Sequence, residues 1–221
     1  MSSGRLAPRN GAVVLLVVLA CVACACGACA RAVDGVPTAA PAAPTPGSAA
    51  DLEAMLITRV PSGLPRLADD EVRPRAGEKD VGDVAGYSRD PRHEREVLED
   101  YGYRFGWERF WGSDSGPMTS VFVDQFDHRS GASAYARDLA RNDAARYDAV
   151  VHENPPGLPG GCRMLTVDDA DAQASLGGPA AMAWCGHGAF SVSVTSVAAS
   201  LGAAEHEVKV LVEEQLDRLP P

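Results

Sequence analysis

The feature that most constrains this chain lies between Tyr103 and Leu219, where a strand pair followed by a helix occurs twice. Tyr103 to Trp111 and Met118 to Phe126 are runs rich in aromatic and β-branched residues, separated by the turn-forming Gly112-Ser113-Asp114-Ser115-Gly116. Ala132, Tyr135, Ala136, Leu139 and Ala140 then recur at helical spacing, which predicts a helix from Gly131 to Tyr147. The second pass begins with strands at Ala180 to Cys185 and Ala189 to Val197, around Gly186-His187-Gly188. There Phe190, Val192 and Val194 alternate with Ser191, Ser193 and Thr195, the period of a strand with one buried face and one wet face. A helix from Ala203 to Leu219 closes the pass, with Val208, Leu211, Val212 and Leu219 inward and Glu205, Glu207, Glu213, Glu214 and Asp217 outward. Gly161 to Val167, after the turn-rich Asn154-Pro155-Pro156-Gly157, supplies a fifth strand. A hairpin hides its apolar face under a helix, so the expected fold is α+β. Its antiparallel sheet comes from two hairpin–helix units plus a fifth strand, with the helices packed on one face.

Ahead of this pattern, Asp51 is placed to cap a short helix through Leu56, which Pro61-Ser62-Gly63 stops. Residues 65–90 carry Pro, Gly and many charges and read as a surface loop. Asp90-Pro91 then offers a cap and a first-turn proline to a helix running to Tyr101, with Gly102 suited to its end.

The first thirty residues have a different task. Arg5 and Arg9 precede an uncharged apolar run from Gly11 to Ala30, the layout of a bacterial export leader. Val18-Leu19-Ala20-Cys21 resembles a lipobox, in which the cysteine becomes the lipidated first residue of the mature chain. Cys24, Cys26 and Cys29 also follow an alanine and are alternative anchors. Two other routes remain open: Ala28-Cys29-Ala30 as an ordinary cleavage site, or the apolar run as an uncleaved span. All three routes place the rest of the chain outside the cytoplasm. Cys21-x-x-Cys24 and Cys26-x-x-Cys29 have the spacing of metal thiolates, but an export core offers no folded cage for an ion. Residues 31–50 follow, with Pro37, Pro41, Pro44 and Pro46 among Ala, Thr, Gly and Ser. Such a stretch buries too little surface to fold and reads as a disordered spacer. The expected plan is therefore leader region 1–30, spacer 31–50 and an extracytoplasmic domain 51–221.

Charge narrows the partners. The 221 residues carry a formal net charge of -10, and loss of Arg5 and Arg9 with the leader leaves 18 basic residues against 30 acidic ones. Nucleic acid needs clustered Lys and Arg and is excluded as a partner on that ground. Only Cys162 and Cys185 fall in the domain, and an even pair in an exported chain predicts a disulfide between the fifth strand and the second hairpin.

Motifs for chemistry are sparse. Asp168-Asp169-x-Asp171 lacks the glycine and glutamate of a calcium loop, and the five histidines show no zinc-binding pairing. No cofactor, metal or catalytic set is expected. The candidate binding surface is aromatic: Tyr103, Phe105, Trp107 and Trp111 share one parity along a strand and so point to one sheet face. Two outcomes follow. The row is either core beneath the helices or the lining of a groove, with Glu108 and Arg109 beside it.

Leu56-Ile57-Thr58-x-x-Pro61-x-Gly63 and Tyr101-Gly102-Tyr103-x-x-Gly106 resemble segments of uncharacterised secreted lipoproteins of actinobacteria. In outline the domain is similar to the modules of mycobacterial-type lipoproteins and receptor-kinase sensor domains. That resemblance implies a domain held at the outer face of the cell membrane by its lipid, binding a small molecule or an envelope protein and doing no chemistry. It brings no catalytic residues. A cell-envelope hydrolase would instead gather Glu or Asp with His in one cleft, and a purely structural envelope protein would show no cleft of ligand size.

Overall fold

Among the described residues twelve elements follow one another: α1 (Ala49–Glu53), β1 (Gly77–Lys79), α2 (Val81–Ala85), α3 (Pro91–Asp100), β2 (Tyr103–Gly112), β3 (Met118–Phe126), α4 (Arg129–Tyr147), β4 (His152–Glu153), β5 (Cys162–Val167), β6 (Ala180–His187), β7 (Phe190–Val197) and α5 (Leu201–Leu216). The computed structural model describes residues 44–113, 116–168 and 175–221. The leader, its cysteines Cys21, Cys24, Cys26 and Cys29, and the spacer as far as residue 43 lie outside the described residues. So do hairpin residues 114–115 and the acidic stretch 169–174.

The strands form one seven-stranded sheet in the order β1-β2-β3-β7-β6-β5-β4, every pair antiparallel. The five expected strands are present, and the fold is α+β. The two additions, β1 and β4, are edge strands of three and two residues, too short to carry a period. Brief charged edges of this kind discourage pairing with other chains. Cys162 and Cys185 face each other across β5 and β6 and are joined by a disulfide, with their Cα atoms 4.1 Å apart.

The helices do not share a face. β6 reads Ala-Ala-Met-Ala-Trp-Cys from Ala180, and all six of these residues are buried. Its Ala181, Ala183 and Cys185 pack with Val208, Leu211 and Val212 of α5, whereas Ala180, Met182 and Trp184 pack with Ala136 and Ala140 of α4. Successive strand residues point to opposite faces, so α4 and α5 cover opposite sides of the sheet. The serines of β7 correct the expectation in the same way. Ser191 and Ser193 are buried on the α4 side rather than wet. Small hydroxyl side chains there let an alanine-rich helix come close to the strands. Gly186 shows how close: a Cβ on it would lie 2.7 Å from Ser133 Oγ of α4.

Over β2 and β3 the α5 side is covered by the chain from Pro46 to Leu64, irregular apart from the short α1. Leu52, Leu56, Ile57 and Val60 bury themselves against Trp111, Val121 and Val123. Irregular chain leaves backbone groups unpaired, and buried ones must find partners. Polar side chains from β2, β3 and α5 serve them. Arg109 donates to Leu56 O at 3.1 Å, Ile57 O at 2.8 Å and Glu53 O at 3.3 Å. Gln125 Nε2 donates to Pro46 O at 3.1 Å. Gln215 of α5 accepts from Ile57 N at 3.0 Å and donates to Met55 O at 3.1 Å.

Two boundaries move as a result. The last residues of the expected spacer are packed, since Pro46 and Ala49 are buried. Ser48 caps α1 in place of Asp51, its Oγ accepting from Asp51 N at 3.2 Å. Residues 65–90 are likewise no plain loop. They hold β1 and α2, the latter fixed by a reciprocal cap between Asp80 and Asp83. Asp90 does cap α3, accepting from His93 N at 3.2 Å. No helix among the described residues is long and apolar enough to cross a membrane.

Candidate functional site

A cleft of about 410 Å³ opens where the start of β3, the end of β7, the first turns of α5 and the Pro61–Leu64 segment meet. Its walls are mostly apolar: Pro61, Leu64, Pro117, Val197, Ala198 and Ala203. The polar groups are Ser62, Thr119, Ser196, His206 and Glu207. Thr119 and Ser196 stand opposite each other in the β3–β7 ladder, which puts both hydroxyls on the α5 side.

Glu207 ties the walls together. The helical reading assigns it to solvent, yet it is only 5% exposed. Its Oε2 accepts from Ser62 N at 2.9 Å and its Oε1 from Ser62 Oγ at 2.6 Å. Thr119 Oγ1 stands 3.4 Å from Oε1 and the same distance from Ser196 Oγ, and can donate to one of them at a time. The signal for this burial is in the sequence. Glu207 lies three residues after Ala204 and four before Leu211, on the stripe that α5 turns inward. Gln215, four residues after Leu211, falls on the same stripe and is also buried.

The cleft thus contains a glutamate and a histidine, the pairing a hydrolase would need, without the geometry. His206 and Glu207 are consecutive on α5, so their side chains diverge. The carboxylate already accepts the Ser62 N–H and O–H groups, which leaves it a poor base for a substrate. Among the described residues no three His, Cys, Asp or Glu side chains converge as a metal site.

The aromatic row does not line the cleft. A register shift between Tyr103 and Phe105 inserts an extra residue into β2, the hallmark of a β-bulge. The shared parity of the four aromatics is broken there. Phe105, Trp107 and Trp111 stay on the α5 side with Arg109 and pack into the main core, while Tyr103 lies on the other side against Phe126. Trp111 is 1% exposed. The indole N–H groups of Trp107 and Trp111 are buried without a partner among the described residues.

On the α4 side of β1, β2 and β3 sits a second constellation that sequence patterning misses. Lys79, Glu108 and Asp124 are all buried. Lys79 Nζ is 3.4 Å from Glu108 Oε2 and also donates to Arg75 O. Tyr87, itself 44% exposed, closes the site from outside and donates to Glu108 Oε2 at 2.9 Å. Tyr103 donates to Asp124 Oδ1 at 3.2 Å. One cation therefore faces two carboxylates. Burial, and then the charge of Glu108, push Asp124 up to about 7. Burial likewise raises Glu108, which Lys79 partly offsets. Gly106 stands opposite Asp124 in the ladder, and a side chain there would collide with the Asp124 carboxylate and the Tyr103 hydroxyl.

No protein-family model matches the chain, and no curated protein matches it either. Among solved structures it is similar to the extracellular domain of PknH from Mycobacterium tuberculosis. That similarity has 12% sequence identity and a TM-score of 0.46, and it covers 79% of this chain and 98% of that chain.

Proposed function

We propose that the chain is exported, is held at the outer face of the cell membrane by a lipid on Cys21, and presents its folded domain as a non-enzymatic ligand-binding module. Cys24, Cys26 and Cys29 are the alternative anchor positions. The observation that carries the reading is the cleft beside α5. Its 410 Å³ falls within the range of about 300–1,000 Å³ usual for small-molecule sites, and its walls are mainly apolar. Its one buried carboxylate is engaged by Ser62, so the cleft is equipped to hold a molecule rather than to transform it. The Cys162–Cys185 disulfide suits the oxidising side of a membrane.

Two experiments test the two halves of the proposal. Fractionation of cells carrying the wild-type leader should recover the protein with membranes, and Cys21→Ala should release it or leave it unprocessed. Unchanged anchoring of processed, mature-size protein in Cys21→Ala, and again when Cys24, Cys26 and Cys29 are replaced as well, removes the lipid from the account. For the cleft, Ala203→Trp fills the space between α5 and Leu64. It should abolish binding of an apolar fluorescent probe without lowering Tm. Undiminished probe binding in that variant would place the site elsewhere.

A further inference from the structure

The apolar cleft has a neighbour across Pro61. On the other side of that residue lies a second hollow of about 630 Å³, lined by Thr58, Arg59, Glu214, Asp217 and Arg218. Pro61 borders both. The helix borders both as well, through Ala203 and Glu207 in the first and Val210, Glu214 and Asp217 in the second. These positions are spaced by three or four residues and form one stripe along α5. From Ala203 to Asp217 the stripe is about 21 Å long at the rise of an α-helix. The two hollows therefore lie in succession along the helix, the one at its start mostly apolar and the one at its end charged.

The charged end has an unusual arrangement. Two guanidinium groups and two carboxylates line one hollow, yet among the described residues none of the four pairs with another. Arg218 donates to Leu56 O at 3.4 Å instead, which fixes it at the rim. Opposite charges held apart around an opening complement a group that itself carries both signs. The hydroxyl of Thr58 adds a hydrogen-bonding group beside them.

We propose that the two hollows are one site for a single-chain zwitterionic amphiphile, with its alkyl chain between Leu64 and Ala203 and its head group among Arg59, Arg218, Glu214 and Asp217. This rests on the ligand-binding reading above and adds the chemical class. A phosphate or other anion in the head would face the arginines. An ammonium group would face the carboxylates. Exposed charges of this kind discriminate between ligands more than they add affinity.

The test uses the exported chain released without its lipid, with residues 1–30 replaced by a leader that ordinary signal peptidase removes. Four dodecyl compounds, each below its micelle concentration, are titrated by calorimetry: dodecylphosphocholine, dodecyl sulfate, dodecyltrimethylammonium and dodecyl maltoside. The expected result is one site, about tenfold tighter for dodecylphosphocholine than for the other three, the effect of two exposed ion pairs. Replacing Arg59 and Arg218 together by Ala, or Glu214 and Asp217 together by Ala, should bring dodecylphosphocholine to the level of the maltoside and leave the maltoside unchanged. Equal affinity for all four compounds would overturn the head-group assignment and keep the cleft. Tighter binding of either singly charged compound would overturn the zwitterion. Binding of none of them would overturn the cleft as a ligand site.

Discussion

Asp124 gives the sharpest prediction about stability. Its carboxyl is buried on the α4 side of β3, receives a bond from the Tyr103 hydroxyl, and shares its surroundings with Glu108 and a single ammonium, that of Lys79. Burial first, and Glu108 second, raise it from 3.8 to about 7. An acid whose pKa is higher folded than unfolded contributes stability that is complete below the unfolded value and is lost as pH rises through the folded one. The window therefore runs from about 4 to about 7, and stability falls across it at up to about 1.4 kcal/mol per pH unit. Over the roughly 3 units between the two values, the loss is about 4 kcal/mol, a large part of what holds a domain of this size together. Asp124→Asn removes the titration and keeps an acceptor for Tyr103. Urea denaturation followed by tryptophan fluorescence at intervals from about pH 4 to pH 8 measures both proteins. Glu108 slopes in the same direction in each, so the difference between them reports Asp124 together with its coupling to Glu108. The variant should gain on the wild type steadily as pH rises, by about 4 kcal/mol in all. Two curves that run parallel across the window would refute the reasoning.

The other predictions concern the pins of the fold. Arg109→Met deletes its bonds to residues 53, 56 and 57 and leaves the Ile57 carbonyl without a partner, at a cost of about 3 kcal/mol; limited proteolysis should then cut between residues 46 and 64. Glu207→Ala strands the Ser62 N–H and should cost about 2 kcal/mol, while Glu207→Gln keeps an acceptor and should cost less; unfolding curves of the two variants decide it. Reducing the Cys162–Cys185 bond frees a chain separation of 23 residues and should lower stability by about 3 kcal/mol, measured beside a thiol-labelling control that finds no free cysteine before reduction.

Periodicity reads this fold well where a pattern is long and local. The two hairpins, both long helices, the fifth strand and the cysteine pair are all visible in it. It fails where the decisive neighbour is distant in the chain. The alternation of β7 is real, but whether its serines meet water or α4 depends on a helix some fifty residues earlier. The aromatic row misleads because one extra residue at Arg104 turns Tyr103 to the other face, and a bulge leaves no compositional mark. Lys79 and Asp124 are charged residues in unpromising settings, an apparent loop and a strand, and only the sheet register joins them. Glu207 is different. Its place on the inward stripe of α5 is legible from spacing alone, and its charge hides it. The candidate groove could not be read at all, because Pro61, Thr119, Ser196 and Glu207 come from four separate parts of the chain.

The central claim is that the space beside α5 binds a molecule. Amide chemical shifts of the labelled exported chain, recorded as dodecylphosphocholine is added below its micelle concentration, test it most directly. The expected changes are saturable and confined to Ser62–Leu64, Thr119, Ser196–Ala198 and one stripe of α5 from Ala203 to Asp217, with Trp107, Trp111 and the Lys79–Glu108–Asp124 cluster undisturbed. Saturable shifts centred on β1 and β2, or no saturable shifts anywhere, would contradict it.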